Sequence, residues 1–440
     1  MKVLIIDNHL CLATDLALRA IAAGHDVKWY QGVDKRTGNV PLTGRGLVPK
    51  VRDWRDHMRW ADLVVVTDCI KNIHALEPYR VKGFPIMGPS VATAAWEMDR
   101  SKGMEVLQAV GISVPPSEEF RSYRDAREYV INTMGRYVSK PSGDADKALS
   151  YCSKGPQDLL YMFDRWEAKG ALQGPFILQE FIPGIEMAVG AWFGGGEFSA
   201  PCENWEFKKL MNGDLGVATG EQGTIVRYTE KSLLAERVLY PLQELLAYEG
   251  YVGYIDVNCI IDEDGTPWPL EFTMRPGYPI SDIQRELHQG DPVEWMLDLV
   301  NGEHTLKVRT DVTACGVVVA IPDYPYSHLT SKDVAGVPIY GMDEDNQDHI
   351  HLAGVMAGRY PDIENGHIVS VDGIVSASDY VLVGAGTGRT VSDAKDAAYR
   401  TVKSITIPNS PSYRTDIGDR LKDQLPKLHR MGYAKGLRYD

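Results

Sequence analysis

YIDVNCIIDEDGTPWPLEF, residues 254–272, consists of two apolar runs joined by the turn sequence DEDG (262–265). β-Branched, aromatic and aliphatic residues dominate both runs, so each reads as a strand and the pair as a hairpin. Asp256 and Glu271 are out of character there, because a buried carboxylate is costly unless it is paired or metal-bound. A two-residue turn at Glu263–Asp264 sets Asp256 opposite Glu271, with Thr273 on Glu271's face of the ladder. Carboxylates converging from adjacent strands are what Mg²⁺ needs when it also carries nucleotide phosphates. A bulge at Gly265 is the competing geometry, and it would shift the register by one and separate the carboxylates. The residues alone leave a metal pair and a half-exposed salt-bridge pair both open.

Outward from the hairpin, Lys140 ends a strand and runs into the glycine-containing loop PSGDADKA (141–148), which holds a second lysine, Lys147. FILQEFIPGIE (176–186) offers a strand, a short connector and Glu186. A strand-end lysine can reach phosphates, a strand-to-loop backbone can pair with an adenine edge, and a nearby carboxylate can hold ribose hydroxyls. Each of these features is weak alone.

The N-terminal part alternates strand and helix signals: VLIID (3–7), DLALRAIAAG (15–24), HDVKWY (25–30) and ADLVVVTD (61–68). That order implies a parallel sheet with right-handed crossovers. Ligands of such sheets bind beyond the carboxyl ends of the strands, near Asp7, Asn8, His9, Thr67 and Asp68. After GPS (88–90), with Ser90 as a plausible N-cap, one helix is expected from Val91 to Val110. The fold class expected is α/β and α+β multidomain, divided as 1–90 (parallel α/β), 91–190 (linker helix and a first lobe), 191–310 (a second lobe that includes the hairpin) and 311–440 (α+β domain and tail).

The 440 residues carry a net charge of −14 with no long Lys/Arg run, which argues against a polymeric nucleic acid or a membrane surface as partner. No apolar run is long enough to span a bilayer. The six cysteines lie far apart without a CxxC pair, as expected of free thiols in a reducing, cytoplasmic setting.

Taken in order, these segments resemble the ATP-grasp superfamily, and within it the glycinamide ribonucleotide synthetase (phosphoribosylamine–glycine ligase) family. Five segments carry the likeness: GPS with the helix containing SKG (101–103), QEFIPGIE (179–186), EFKKLMNGDLGVATGEQG (206–223), LEFTMRPG (270–277) and YRTDIGDR (413–420). The third is similar to the family's D-H-K-R-x-x-D-G-D-x-G-x-N-T-G-G-M-G, and the fourth to I-E-F-N-x-R-x-G. The resemblance implies a nucleotide held between two lobes, with Lys102, Lys140 and Lys147 toward the phosphates. It also implies Gln179, Glu180, Phe181 and Ile182 beside adenine, Glu186 on ribose and Lys208 in support. Asp214, Arg275 and Gly277 would meet the amino acid and the transferring phosphate, and Glu271, Asp256 and Thr273 would hold Mg²⁺ or Mn²⁺. The implied cofactors are ATP and that metal. The implied reaction passes through an acyl phosphate, which an amine then attacks.

Departures cluster at the amine side. DNHLCLATD (7–15) has neither the glycines nor the arginine that the family uses for the phosphate of phosphoribosylamine, and only Asn8 survives. TDCIKNIHAL (67–76) replaces G-P-E-x-P-L. Acidic Asp7, Asp15 and Asp68 stand there instead, suiting a cationic amine or sugar hydroxyls better than a phosphate. Thr273 stands where the family has asparagine. The expectation is a ligase that activates an amino acid, most simply glycine, for an amine other than phosphoribosylamine, acting as a monomer or homodimer on small molecules. The alternatives are the authentic purine-pathway ligase and a nucleotide-binding protein without turnover.

Overall fold

The computed structural model describes residues 1–8, 12–33, 40–141, 150–172, 174–326, 334–408 and 411–440. Lys2–Asp7, Asp26–Gln31, Lys50–Val51, Leu63–Val66 and Ile86–Met87 form a parallel sheet, with Lys2–Asp7 at its centre between Asp26–Gln31 and Leu63–Val66. LVVV (63–66) is buried throughout, as a parallel strand covered on both faces requires. The chain direction across the sheet reverses beside the first strand, so the crevice for ligands opens at Asp7, Asn8 and Thr67.

Ser90 caps the next helix reciprocally with Thr93, as its sequence suggested. The helix does not run through to Val110. It stops at Met98, Asp99 turns extended, and the Asp99 side chain accepts from the Lys102 amide to start a second helix, Arg100–Ala109. An aspartate caps better than it propagates, and here that preference splits the helix.

Ser117–Phe120, Phe176–Glu180, Tyr137–Pro141 and Tyr151–Cys152 make a four-stranded antiparallel sheet. Its core is aromatic, built on Tyr123, Phe163, Trp166 and Phe176. A larger antiparallel sheet follows, in the order Pro267–Thr273, Gly253–Ile261, Ile185–Gly194, Cys202–Glu206, Gly223–Tyr228, Thr313–Ala320, Tyr380–Gly388, Ile350–Leu352. It draws strands from both sides of position 311.

The 254–272 hairpin forms, but its register differs from the two-residue-turn expectation. Gly265 has φ of +82°, and its turn pairs Ile261 with Pro267. A second irregularity, at Leu270, then pairs Asn258 with Glu271 and Asp256 with Thr273. The first extra residue alone would have put the carboxylates on opposite faces; the second restores the face and leaves them one step apart along it. Asp256 therefore faces Thr273 and not Glu271.

The N-terminal helix is tied to the large sheet by a buried ionic cluster. Asp15 accepts from Arg19 and Arg285, each at 2.8 Å, and lies 3.1 Å from His351 Nδ1. His351 Nε2 is 2.9 Å from Glu286, which also meets His349 at 2.7 Å. Asp15 is thus committed to packing and brings no free charge to the strand-end crevice. Among the described residues no helix is long and apolar enough to cross a membrane, and the five described cysteines are free.

Candidate active site

A cleft of about 360 Å³ opens where the linker helices, the first lobe, the large sheet and the loop after Thr67 meet. Lys208, which follows the strand Cys202–Glu206, is its hub. Its Nζ lies 2.7 Å from Glu206, 3.2 Å from Glu186 and 3.4 Å from Glu271. Burial works against the Lys208 charge, but Glu206, Glu186 and Glu271 outweigh it and hold its ammonium well above the ordinary lysine value. Glu271 also accepts from Arg100 at 2.8 Å. Burial would raise Glu271, yet Lys208, Arg100 and Lys140 keep it well below the usual carboxylate range.

Lys140 donates to Gln179 Oε1 at 2.8 Å and approaches the Leu270 carbonyl at 3.4 Å. Burial, reinforced by the Arg100 charge, lowers it to about 7. Asn258 Nδ2 donates to both Glu186 (3.0 Å) and Glu206 (2.6 Å), linking the residue expected on ribose to the hub. The Glu180 amide donates to the Pro116 carbonyl, and the Phe181 amide to that of Arg136, whose guanidinium lies 3.4 Å from the Phe181 ring centre. The connector expected beside adenine, Glu180–Ile182, is thereby anchored to the first lobe.

Arg275 pairs with Glu97 at 3.1 Å, and Glu97 also accepts from the Met274 amide and the Cys69 thiol. Gly277 turns the chain so closely that a Cβ would sit 2.5 Å from Ile280. Asp256 is 5 % exposed and its Oδ2 accepts from Asn204 (2.8 Å) and Tyr254 (3.1 Å). Burial and the nearby Glu206 push it up to about 7.

Two expected residues stand apart from this cleft. Lys102 is half exposed and meets Glu105 at 3.4 Å. Asp214 is held by Arg414 at 2.8 Å and Arg420 at 3.1 Å, outside the cleft wall. Its partners belong to YRTDIGDR (413–420), so the third and fifth motifs are one contact, which also places Arg420 over the Phe207 ring beside Lys208. Asp214 is thus paired with two guanidinium groups and braces the 413–420 segment. Lys147 lies outside the described residues.

At the strand ends, Thr67 donates to Asp7 at 2.7 Å and Asn8 to Asp68 at 2.5 Å, while Asp68 also accepts from the amides of Ile70 and Lys71. Cys69 and Ile70 line the cleft, so the crevice and the cleft share a wall. Lys71 passes beside Gly32, whereas Arg359 sits on an exposed hairpin paired with Asp372. Sequence reasoning missed Arg100, Glu97, Glu206, Glu221 and Asn258; Arg100, two residues before the Lys102 that drew attention, was the most visible.

No three His, Cys, Asp or Glu side chains converge closely enough to hold an ion among the described residues. Glu271 and Thr273 nevertheless present hard oxygen donors on one sheet face at the cleft, the donor type that suits Mg²⁺ or Mn²⁺.

No family model matches the chain. It is 25 % identical over 403 residues to the phosphoribosylamine–glycine ligase of Ralstonia nicotianae, covering 88 % of this chain and 90 % of that one. The solved phosphoribosylamine–glycine ligase of Thermotoga maritima superposes with a TM-score of 0.70 at 20 % identity, over 95 % of this chain and all of the other. The biotin carboxylase domain of 2-oxoglutarate carboxylase from Hydrogenobacter thermophilus, solved with MgADP, gives 0.64 at 14 % identity over 99 % of each chain. The expectation of an ATP-grasp ligase resembling the glycinamide ribonucleotide synthetases is met in sequence and in fold.

Proposed function

We propose that this chain uses ATP to activate the carboxylate of a small amino acid, most simply glycine, and joins it to an amine other than phosphoribosylamine. The observation that carries this reading is one cleft lined by Lys208, Arg100, Arg275, Glu271 and Thr273, with Lys140 behind it against the Leu270 carbonyl. Glu271 and Thr273 would hold Mg²⁺ or Mn²⁺, which when bound neutralises charge on phosphate oxygens. Lys140 and Lys208 would position the nucleotide's phosphates, and Arg275 the carboxylate that attacks the γ-phosphate. Positive groups fixed before reaction stabilise the charge that spreads over the transferring oxygens. The segments 1–90, 91–190, 191–310 and 311–440 would then serve acceptor, nucleotide, metal and bracing roles in turn.

The acceptor assignment rests on the strand ends. Thr67 is bonded to Asp7 and Asn8 to Asp68 there, and like charges in a partly desolvated crevice disfavour a phosphate dianion. The test supplies ATP, Mg²⁺, glycine and freshly made phosphoribosylamine, with ADP and glycinamide ribonucleotide measured separately. ADP release that needs an amino acid and stops in excess EDTA is expected, with little glycinamide ribonucleotide. Its formation at a rate normal for a biosynthetic ligase would restore the purine-pathway reading; ADP release persisting in EDTA would refute the metal role.

A further inference from the structure

The carboxylates around the cleft fall into two groups. Glu186, Glu206 and Glu271 share Lys208, and Glu97 has Arg275. Glu221 and Asp256 have no ion-pair partner among the described residues. Glu221 is 3 % exposed, lines the cleft, and its Oε1 makes no hydrogen bond. Its backbone is pinned: its carbonyl accepts from the Tyr380 hydroxyl and from Gln222 Nε2, and Gln222 continues into the large sheet through the Phe207 carbonyl. The fold thereby fixes the main chain from which the Glu221 side chain reaches the cleft wall.

An unpaired buried carboxyl is a standing cost of about 1–3 kcal/mol or more, and a fold retains one most readily where a ligand relieves it. The surroundings specify the ligand. Tyr254, Tyr278 and Tyr380 border the same end of the cleft, with the rings of Tyr278 and Tyr380 edge to face at 4.7 Å. Carboxylates with aromatic walls suit an organic ammonium. Thr273, opposite Asp256 on the same sheet face, and Arg275 two residues on mark where a substrate carboxylate would sit. In an α-amino acid the ammonium is one carbon from the carboxylate, which points it from Thr273 toward Asp256 and Glu221.

We propose that Glu221, backed by Asp256, receives the ammonium group of the amino acid whose carboxylate is activated in this cleft. This rests on the amino-acid ligase reading and adds how the cleft distinguishes an amino acid from a plain carboxylic acid. Burial, with Glu206 beside it, raises the Glu221 proton affinity well above normal until such a cation arrives.

The test measures binding without turnover, by calorimetry with Mg²⁺ and a non-hydrolysable ATP analogue present. The probes are glycine, glycinamide (ammonium kept, carboxylate masked) and acetate (ammonium removed). Glycine and glycinamide should bind wild type at least about tenfold more tightly than acetate, the scale of one charge-assisted hydrogen bond. Glu221→Gln should erase that preference while nucleotide affinity stays within about twofold. Its melting temperature should not fall, because the exchange removes an unpaired buried acid and keeps its shape. Acetate binding as tightly as glycine, or a Glu221→Gln protein that keeps the preference or changes its Mg²⁺ requirement instead, overturns the proposal. Failure of the ligase reading shows separately, as wild-type protein that binds the ammonium probes yet releases no ADP with any carboxylate.

Discussion

The molecule contains two dense ionic clusters, and they are built on opposite terms. Around Asp15, the acids Asp15, Asp282 and Glu286 meet Arg19, Arg285, His349 and His351, so every acid is matched by a cation. Around Lys208, Glu186, Glu206 and Glu271 share two cations, with Glu221 and Asp256 nearby and unpaired, and the whole faces an opening. A balanced cluster leaves no carboxylate without a partner and serves to join the N-terminal helix to the large sheet. A cluster with unpaired carboxyls at a cleft is open to completion by what enters it, which on the function and the inference proposed above would be a divalent cation and an ammonium. Partnering, more than burial, separates Asp15, Asp282 and Glu286 from Glu221 and Asp256, the acids left open to a ligand.

The strongest way to break the balanced cluster is His351→Ala. His351 is fully buried with a carboxylate at each ring nitrogen, so alanine takes one partner from Asp15, leaves Glu286 with His349 alone, opens a cavity, and should cost about 3 kcal/mol. Burial opposes the imidazolium, but Asp15 and Glu286 raise it to about 9, above its unfolded value. The stabilisation is therefore complete below about pH 6.5 and fades as pH rises through about 9. Urea midpoints of wild type and variant should lie far apart at pH 6 and converge near pH 9.5. Equal separation at both would mean that the buried histidine is neutral. Nucleotide affinity should not change, because the cluster lies outside the cleft.

On the other side of the comparison, Arg275→Ala should depress turnover by about 10²-fold while ATP affinity moves by about twofold at most, the pattern of an interaction made chiefly in the transition state. Arg275→Lys should recover little, since an ammonium cannot offer the guanidinium's fork to a carboxylate and a phosphoryl oxygen together. Single-turnover rates and nucleotide titrations distinguish the two quantities. Equal losses in both would reassign Arg275 to nucleotide binding or to packing against Glu97.

What could be read from the sequence follows the range of the interactions involved. The parallel sheet was legible because VLIID and LVVV are unbroken apolar runs, and the hairpin because its turn is local. The shared face of Asp256 and Glu271 was right while their pairing was not, since two one-residue shifts cancel in parity but add in register. Asp99 split a helix that periodicity alone extends to Val110. Lys208 was singled out by likeness, but nothing near it announces Arg100, which comes from 108 positions earlier, or Asn258 from 50 positions later. The Asp214–Arg414 contact spans 200 positions and stayed hidden for the same reason. Glu221 lay unremarked inside the 206–223 motif, because the absence of a partner is visible only in three dimensions.

The smallest effect expected is a fraction of a proton. In the free protein Lys140 titrates near 7, lowered by burial and by Arg100. It is mostly an ammonium at pH 6 and mostly a neutral amine at pH 8. If its Nζ meets nucleotide phosphates, their negative charge favours the ammonium and raises this value on binding. A proton must then be taken up when ATP binds at pH 8, and almost none at pH 6. Calorimetric binding enthalpies at pH 8 should accordingly differ between phosphate and Tris buffers in proportion to the buffers' own ionisation enthalpies. At pH 6, buffers of unlike ionisation enthalpy should give nearly the same value. Affinity should also weaken as pH rises above 7, by up to about tenfold per unit while the cost of protonation lasts. Lys140→Arg, which cannot lose its proton, should abolish both the buffer dependence and the pH dependence. Uptake unchanged in that variant would assign the proton to another group in the cleft, Asp256 first, and would leave Lys140 as a strut between Gln179 and the Leu270 carbonyl.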